Sequence, residues 1–176
     1  MKQILFTLWI AIIYPIIVAG QQNPTTWKEY VSHTKKFSVQ YPSDWWFPDN
    51  LLQGLDFSVN YVKTEKDHGS VSASVWDYGN KTFTLKDYVD LTISQADKIP
   101  YFILNESKDT IVNNKPSHLM IYSYNLNGVL FKTKQLFFLV NDNSLKVYLI
   151  SYTTNPDYFD KYLTIANRII YSFKPL

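Results

Sequence analysis

The sequence has no cysteine among its 176 residues. That absence excludes thiol nucleophiles, thiolate zinc sites, iron–sulfur clusters, disulfide staples and a lipid-modified cysteine behind a leader. Its five glycines are spaced too widely for a G-x-G-x-x-G or G-x-x-x-x-G-K phosphate cradle. Arginine occurs once, at Arg168, and the densest lysine pair is Lys35-Lys36. A nucleic-acid binder is expected to carry a basic face, so that class is set aside. With no staple or cluster to help, the chain must hold by its core. At 46% hydrophobic and 17% aromatic residues it has the material, and a domain near 150 residues buries roughly 68–70% of its unfolded surface.

The one long apolar run is at the start. Met1-Lys2-Gln3 precedes Ile4 to Val18, which leads into Ala19-Gly20 and then polar Gln21-Gln22-Asn23-Pro24. A basic start, an apolar stretch and small residues at its end predict a secretory signal peptide over 1–20. An uncleaved N-terminal anchor is the alternative, although the run is shorter than the ~20 residues a spanning helix needs. Residues 21–176 are then expected outside the cytoplasm, secreted or at the outer face of the membrane. Without Lys2 this part holds 16 basic and 15 acidic residues, a net charge of +1. The sequons Asn80-Lys81-Thr82 and Asn105-Glu106-Ser107 are glycan acceptors if the source glycosylates exported proteins.

Period-two alternation predicts strands at Phe37-Val39-Tyr41, Leu55-Phe57-Val59-Tyr61 and Val71-Ala73-Val75. The period then changes. Leu85, Tyr88, Val89, Thr92, Ile93 and Ala96 form a helical stripe, with Thr84 as N-cap, Asp87 in the first turn and Pro100 as a stop. Four more strands follow over Phe102–Glu106, Ser117–Asn125, Val129–Val140 and Leu145–Thr153, with Asn127-Gly128 as a tight hairpin turn. Asn155-Pro156-Asp157 opens a last helix whose stripe runs from Tyr158 to Phe173 and which Pro175 ends. The expected class is α+β, one domain over 21–176 with a mostly antiparallel sheet and two main helices.

Several of these stretches resemble the PsbP-like domain family, especially the exported PsbP-related proteins of archaea. The opening Phe37-Ser38-Val39-Gln40-Tyr41-Pro42-Ser43-Asp44-Trp45 is similar to the family's F-S-x-x-Y-P-x-x-W signature. Leu85-Lys86-Asp87-Tyr88 resembles its first long helix, Leu145 to Tyr152 its late core strand, and Ile169-Ile170-Tyr171-Ser172-Phe173 its closing I-x-x-S-F. The resemblance spans about Trp27 to Phe173. It implies an α/β/α sandwich around an antiparallel sheet and a small exported accessory or binding domain. PsbP itself is an extrinsic photosystem II subunit that helps retain calcium and chloride, and no residue here matches such a role.

No catalytic, cofactor-binding or metal-ligating set is assigned from the sequence. Glu65, Asp67 and His68 share one polar loop, which is expected to be a solvated hairpin tip with at most weak divalent-ion binding. His118 is expected on the outer side of its strand, half-exposed, and His33 has no evident partner. Serine catalysis lacks a G-x-S-x-G elbow. Asp44, Asp49 and Asp56 flank an aromatic-rich stretch but do not amount to a glycosidase pair. Within that stretch Trp45-Trp46-Phe47 cannot all point into one core, so one or two are expected to be exposed, as a platform for a sugar ring or a partner protein or as a cover over the sheet's end. Three functions follow in order: a non-catalytic accessory module on a membrane or envelope protein; a module binding a small ligand, ion or glycan; and an enzyme with an unseen site.

Overall fold

Alternation in the sequence becomes two-sidedness in the fold. The computed structural model describes residues 26–176 apart from 65 and 142; the expected leader over 1–20 lies outside the described residues. Six strands, β3 (Phe57–Val62), β4 (His68–Asp77), β5 (Ile103–Val112), β6 (Lys115–Leu126), β7 (Val129–Asn141) and β8 (Leu145–Thr154), form one sheet in the order β3-β4-β8-β7-β6-β5. A smaller sheet has the order β1-β2-β9, from Trp27–Ser32, Phe37–Pro42 and Lys174–Pro175. Each of these strand pairings is antiparallel.

Two helices cover opposite faces of the large sheet. α2 (Phe159–Ser172) buries Phe159, Tyr162, Ile165, Ala166, Ile169 and Ile170 against Phe57, Val59, Val71, Ala73, Leu136, Phe138, Tyr148, Ile150 and Tyr152. Phe173, at the helix C-cap, is fully buried, with Phe37 at 5.0 Å and Phe138 at 5.6 Å between ring centroids. α1 (Leu85–Ala96) lies on the other face over a smaller cluster of Val89, Met120 and Phe137. The class is therefore α+β with helices on both sides of an antiparallel sheet.

Local chemistry fixes the ends. Thr84 Oγ1 accepts from the Asp87 amide at 3.1 Å while Asp87 Oδ2 accepts from the Thr84 amide at 2.8 Å, a capping box that starts α1. Asn127 and Gly128 take φ of 54° and 84°, as a tight hairpin requires, and Asn113 and Asn114 do the same between β5 and β6. Asn155 Oδ1 accepts from the Asp157 amide at 2.9 Å and sets a single 3₁₀ turn before α2.

The fold departs from the sequence reading in four places. β1 was not foreseen, because W-K-E-Y-V-S does not alternate; it is held by β2 and by Arg168, whose guanidinium lies 3.9 Å from the Trp27 ring centroid. The lone arginine thus ties β1 to α2. β5 runs on to Val112, well past Glu106, because a strand at the sheet's edge that is exposed over most of its length need not look apolar. α2 ends at Ser172, so Phe173 is extended rather than helical, and Pro175 pairs within β9 instead of ending the helix. Finally, β1, β2 and β9 form a separate sheet.

Candidate functional site

β3 and β4 carry valine and aromatic side chains on one face and small polar ones on the other. Ser58 pairs with Ser72 and Asn60 with Ser70; Ser70 in turn pairs with Thr153 on β8 and Ser72 with Ser151. Residues paired across a sheet share a face, so these polar side chains form a patch on the α1 side. α1 itself stands over β6 and β7, and the patch is roofed instead by the loop between β2 and β3. Together they enclose a cavity of about 400 Å³.

The cavity's floor is Ser58, Asn60, Ser70 and Thr153, and its walls are Trp46, Pro48, Leu52, Leu55 and Phe131, with Val62 and His68 at the rim of β3 and β4. Thr153 Oγ1 hydrogen-bonds Thr133 Oγ1 at 2.9 Å. The side chains of Ser58, Asn60 and Ser70 have no hydrogen-bond partner among the described residues, and Ser58 is only 6% exposed. Hydroxyls and an amide that open on the cavity with no protein partner are free to pair with what enters it, so this floor is suited to a ligand that hydrogen-bonds.

The roof is held at both ends. Trp46 exchanges two backbone hydrogen bonds of 2.8 Å with Asn60, which fixes its main chain along the β3 edge and leaves the indole 60% exposed. Ser74 Oγ donates to the Gly54 carbonyl at 2.7 Å. Asp56 closes the loop: its carboxylate accepts from the Val75 amide at 2.7 Å and faces Lys35 at 3.4 Å, and its carbonyl accepts from the Tyr30 hydroxyl at 3.2 Å. Asp56 is thus a structural anchor, while Asp44 and Asp49 are exposed and outside the cavity. The three consecutive aromatics part company. Trp45 is buried against Tyr61, Phe47 packs on Tyr30, Tyr41 and Phe57, and Trp46 faces out.

The loop of Glu65, Asp67 and His68 is not the solvated tip expected. Asp67 is 6% exposed and turned toward α2, where Lys161 Nζ donates to its Oδ2 at 2.6 Å and the Tyr162 hydroxyl at 3.2 Å. That hydrogen bond raises the Lys161 ammonium above its usual range. Asp67 Oδ1 is buried with no hydrogen-bond partner. Nearby, burial pushes Tyr61 up to about 12; its hydroxyl hydrogen-bonds Thr154 at 3.0 Å. His68 lines the cavity, and Glu65 lies outside the described residues. Among the described residues no three His, Asp or Glu side chains converge as metal ligands. Gly69 is required here: an added Cβ would come within 2.9 Å of the Thr153 carbonyl and of Thr154 Cβ.

His118 is also less open than expected, its side chain 12% exposed. Leu119 and Ile121 do face the core, and His118 lies on the opposite face. There its Nδ1 is 2.7 Å from Asp109 Oδ1 and its Nε2 2.8 Å from Ser107 Oγ. This is the connectivity of a serine–histidine–aspartate set, missed in the sequence because Ser107 and Asp109 meet His118 only through the β5–β6 register. All three lie on regular ladder strands, none lines the cavity, and Asp109 is 92% exposed. The set pins the edge strand to β6. His33 is exposed in the β1–β2 turn, as are both sequon asparagines on the surface.

No protein-family model matches the sequence, and no curated protein is similar to it. Solved structures are. The chain is similar to cyanobacterial PsbP (CyanoP) from Synechocystis sp. PCC 6803 at 12% identity and a TM-score of 0.62, covering 93% of this chain and all of that one. LpqN, involved in cell envelope biogenesis of Mycobacterium tuberculosis, is similar at 13% identity and a TM-score of 0.62, covering 88% of this chain and 86% of that one. The Ran-binding protein Mog1p of Saccharomyces cerevisiae is similar at 7% identity and a TM-score of 0.53, covering 85% and 95%. At such identities the likeness speaks to architecture alone, and the architecture of this chain is PsbP-like.

Proposed function

We propose that this chain is an extracytoplasmic, non-catalytic binding module whose site is the cavity between the Trp46 loop and the polar half of the sheet. One observation carries this reading: three polar side chains without protein partners converge on a cavity walled by exposed apolar groups. Such a combination is the usual make-up of a small-ligand site. The leader-like start and the likeness to CyanoP and LpqN support placing the module outside the cytoplasm. No helix among the described residues is long and apolar enough to cross a membrane. Saturable binding of the neutral apolar dye N-phenyl-1-naphthylamine, lost in Trp46→Ala at unchanged Tm, is the expected result; robust turnover of a substrate by the purified protein overturns the reading.

A second reading, an accessory subunit docked on a membrane or envelope protein, is favoured by the strand edges. β3 is closed by the Trp46 main chain, whereas β5 ends the sheet at ten residues' length with Ile103 58% and Ile111 74% exposed. An open edge of that kind accepts a partner's extended segment. Cross-linking in the native cells is expected to give one dominant partner through β5; no stoichiometric partner would remove this reading and leave the cavity.

A further inference from the structure

Resting on the reading of the cavity as a binding site, we infer that its ligand is a neutral pyranose, the terminal ring or two of an uncharged glycan. No Asp, Glu, Lys or Arg lines the cavity, and the titratable groups of its lining are His68 and Tyr61, whose phenol burial keeps protonated. An anion or cation would enter without a counter-charge, which desolvation forbids.

The walls are Trp46, Leu52, Leu55 and Phe131, and the floor is Ser58, Asn60 and Ser70. A wholly apolar ligand would satisfy the walls but shut water away from the Ser58 hydroxyl and the Asn60 amide without replacing its hydrogen bonds. A wholly polar one would waste the indole. A pyranose has both parts on one small rigid ring, a C–H face that stacks on an aromatic surface and an edge of hydroxyls that both donate and accept. The floor offers the same range: two hydroxyls and an amide, which between them donate and accept.

The Trp46 main chain is clamped to Asn60 by two hydrogen bonds, and Asn60 is directly paired with Ser70. Stacking surface and hydrogen-bonding floor are therefore fixed to the same pair of strands, so little ordering is lost when a ring enters. At about 400 Å³ the volume lies at the small end of the roughly 300–1,000 Å³ range of ligand sites, which suits a short saccharide end and not a long chain.

The test uses the protein purified from its own cells, with an array of neutral and acidic oligosaccharides and N-phenyl-1-naphthylamine as the non-sugar probe. Expected is saturable binding of at least one neutral glycan, weakened tenfold or more by Trp46→Ala and by Asn60→Ala, with Trp46→Phe restoring part of the loss and all three variants keeping the wild-type Tm. Asn60, half-buried at the edge strand, serves as the floor variant that leaves folding intact. If the dye binds and no neutral glycan binds or displaces it, the sugar assignment falls and the binding-module reading stands. If only acidic glycans bind, the assignment also falls. If neither dye nor glycan binds, both fall.

Discussion

On the α2 face of the large sheet, Phe57, Val59, Val71, Ala73, Leu136, Phe138, Tyr148, Ile150 and Tyr152 are all 5% exposed or less under one helix and the β1–β2–β9 sheet. On the α1 face, the same strands bury Met120 and Phe137 under Val89 and then give way to Ser58, Asn60, Ser70 and Thr153 under a loop. The two faces are made of the same strands in the same register. They differ in what covers them: a helix with a wide apolar stripe seals one, and a short helix over two strands leaves half of the other for a cavity. Stability is concentrated on the first face, and the groups free to bind on the second.

The sharpest way to test that contrast is to empty each face in turn. Phe173→Ala removes a fully buried ring that meets Phe37, Phe138 and Tyr148, and a loss of about 3–5 kcal/mol is expected. Val89→Ala, on the α1 face, removes two carbons at about 0.8 kcal/mol each. Urea unfolding of the two variants measures the difference directly. Equal losses would mean that α1 matters as much to the core as α2 does.

Gly69→Ala probes the border between the faces. The new methyl would press on the Thr153 carbonyl and on Thr154, neither of which can swing away, and about 1–3 kcal/mol of overpacking is expected. Dye affinity should fall with it, since Gly69, Thr153 and Thr154 all line the cavity. Wild-type stability in this variant would show that β4 and β8 can separate without cost.

Alkaline pH loosens the sealed face gradually. Burial raises Tyr61 from 10.0 to about 12 and raises Tyr152 and Tyr162 as well. In the unfolded chain these phenols lose their protons near pH 10, whereas in the folded chain they keep them. The folded state therefore holds more protons, and stability falls as pH rises from about 10 to 12. Phenolate absorbance recorded alongside Tm checks this: ionisation of these tyrosines should coincide with unfolding, and ionisation at pH 10 with Tm unchanged would contradict their burial.

Much of the local framework could be read from the chain, since the i, i+3, i+4 stripe of α2, the Thr84 cap of α1 and the Asn127-Gly128 turn each act within a few residues. The cavity could not. Ser58, Ser70 and Thr153 alternate with apolar residues in their own strands, but only the register of β3, β4 and β8 brings them together across nearly a hundred positions. Nor does the helical pattern at Leu85–Ala96 say over which strands α1 will rest. Trp46 was singled out because three bulky aromatics in a row cannot share one side; that Asn60 would clamp its backbone depended on long-range pairing. Ser107, Asp109 and His118 were separable for the same reason, being united only by the β5–β6 ladder.

The smallest expected effect on stability is also the one that most directly tests the open face. Ser58→Ala removes a hydroxyl that opens on the cavity and has no protein partner among the described residues. Removing a hydroxyl that no protein group pairs with breaks no hydrogen bond within the fold, so Tm should stay the same within a degree or two. At the border between the faces the opposite holds. Thr154 Oγ1 hydrogen-bonds the Tyr61 hydroxyl and donates to the His68 carbonyl at 2.6 Å, and its removal would strand both. A clear loss of Tm in Ser58→Ala would therefore mean that the hydroxyl is paired within the folded protein, and the floor of the cavity would no longer be a set of groups waiting for a ligand.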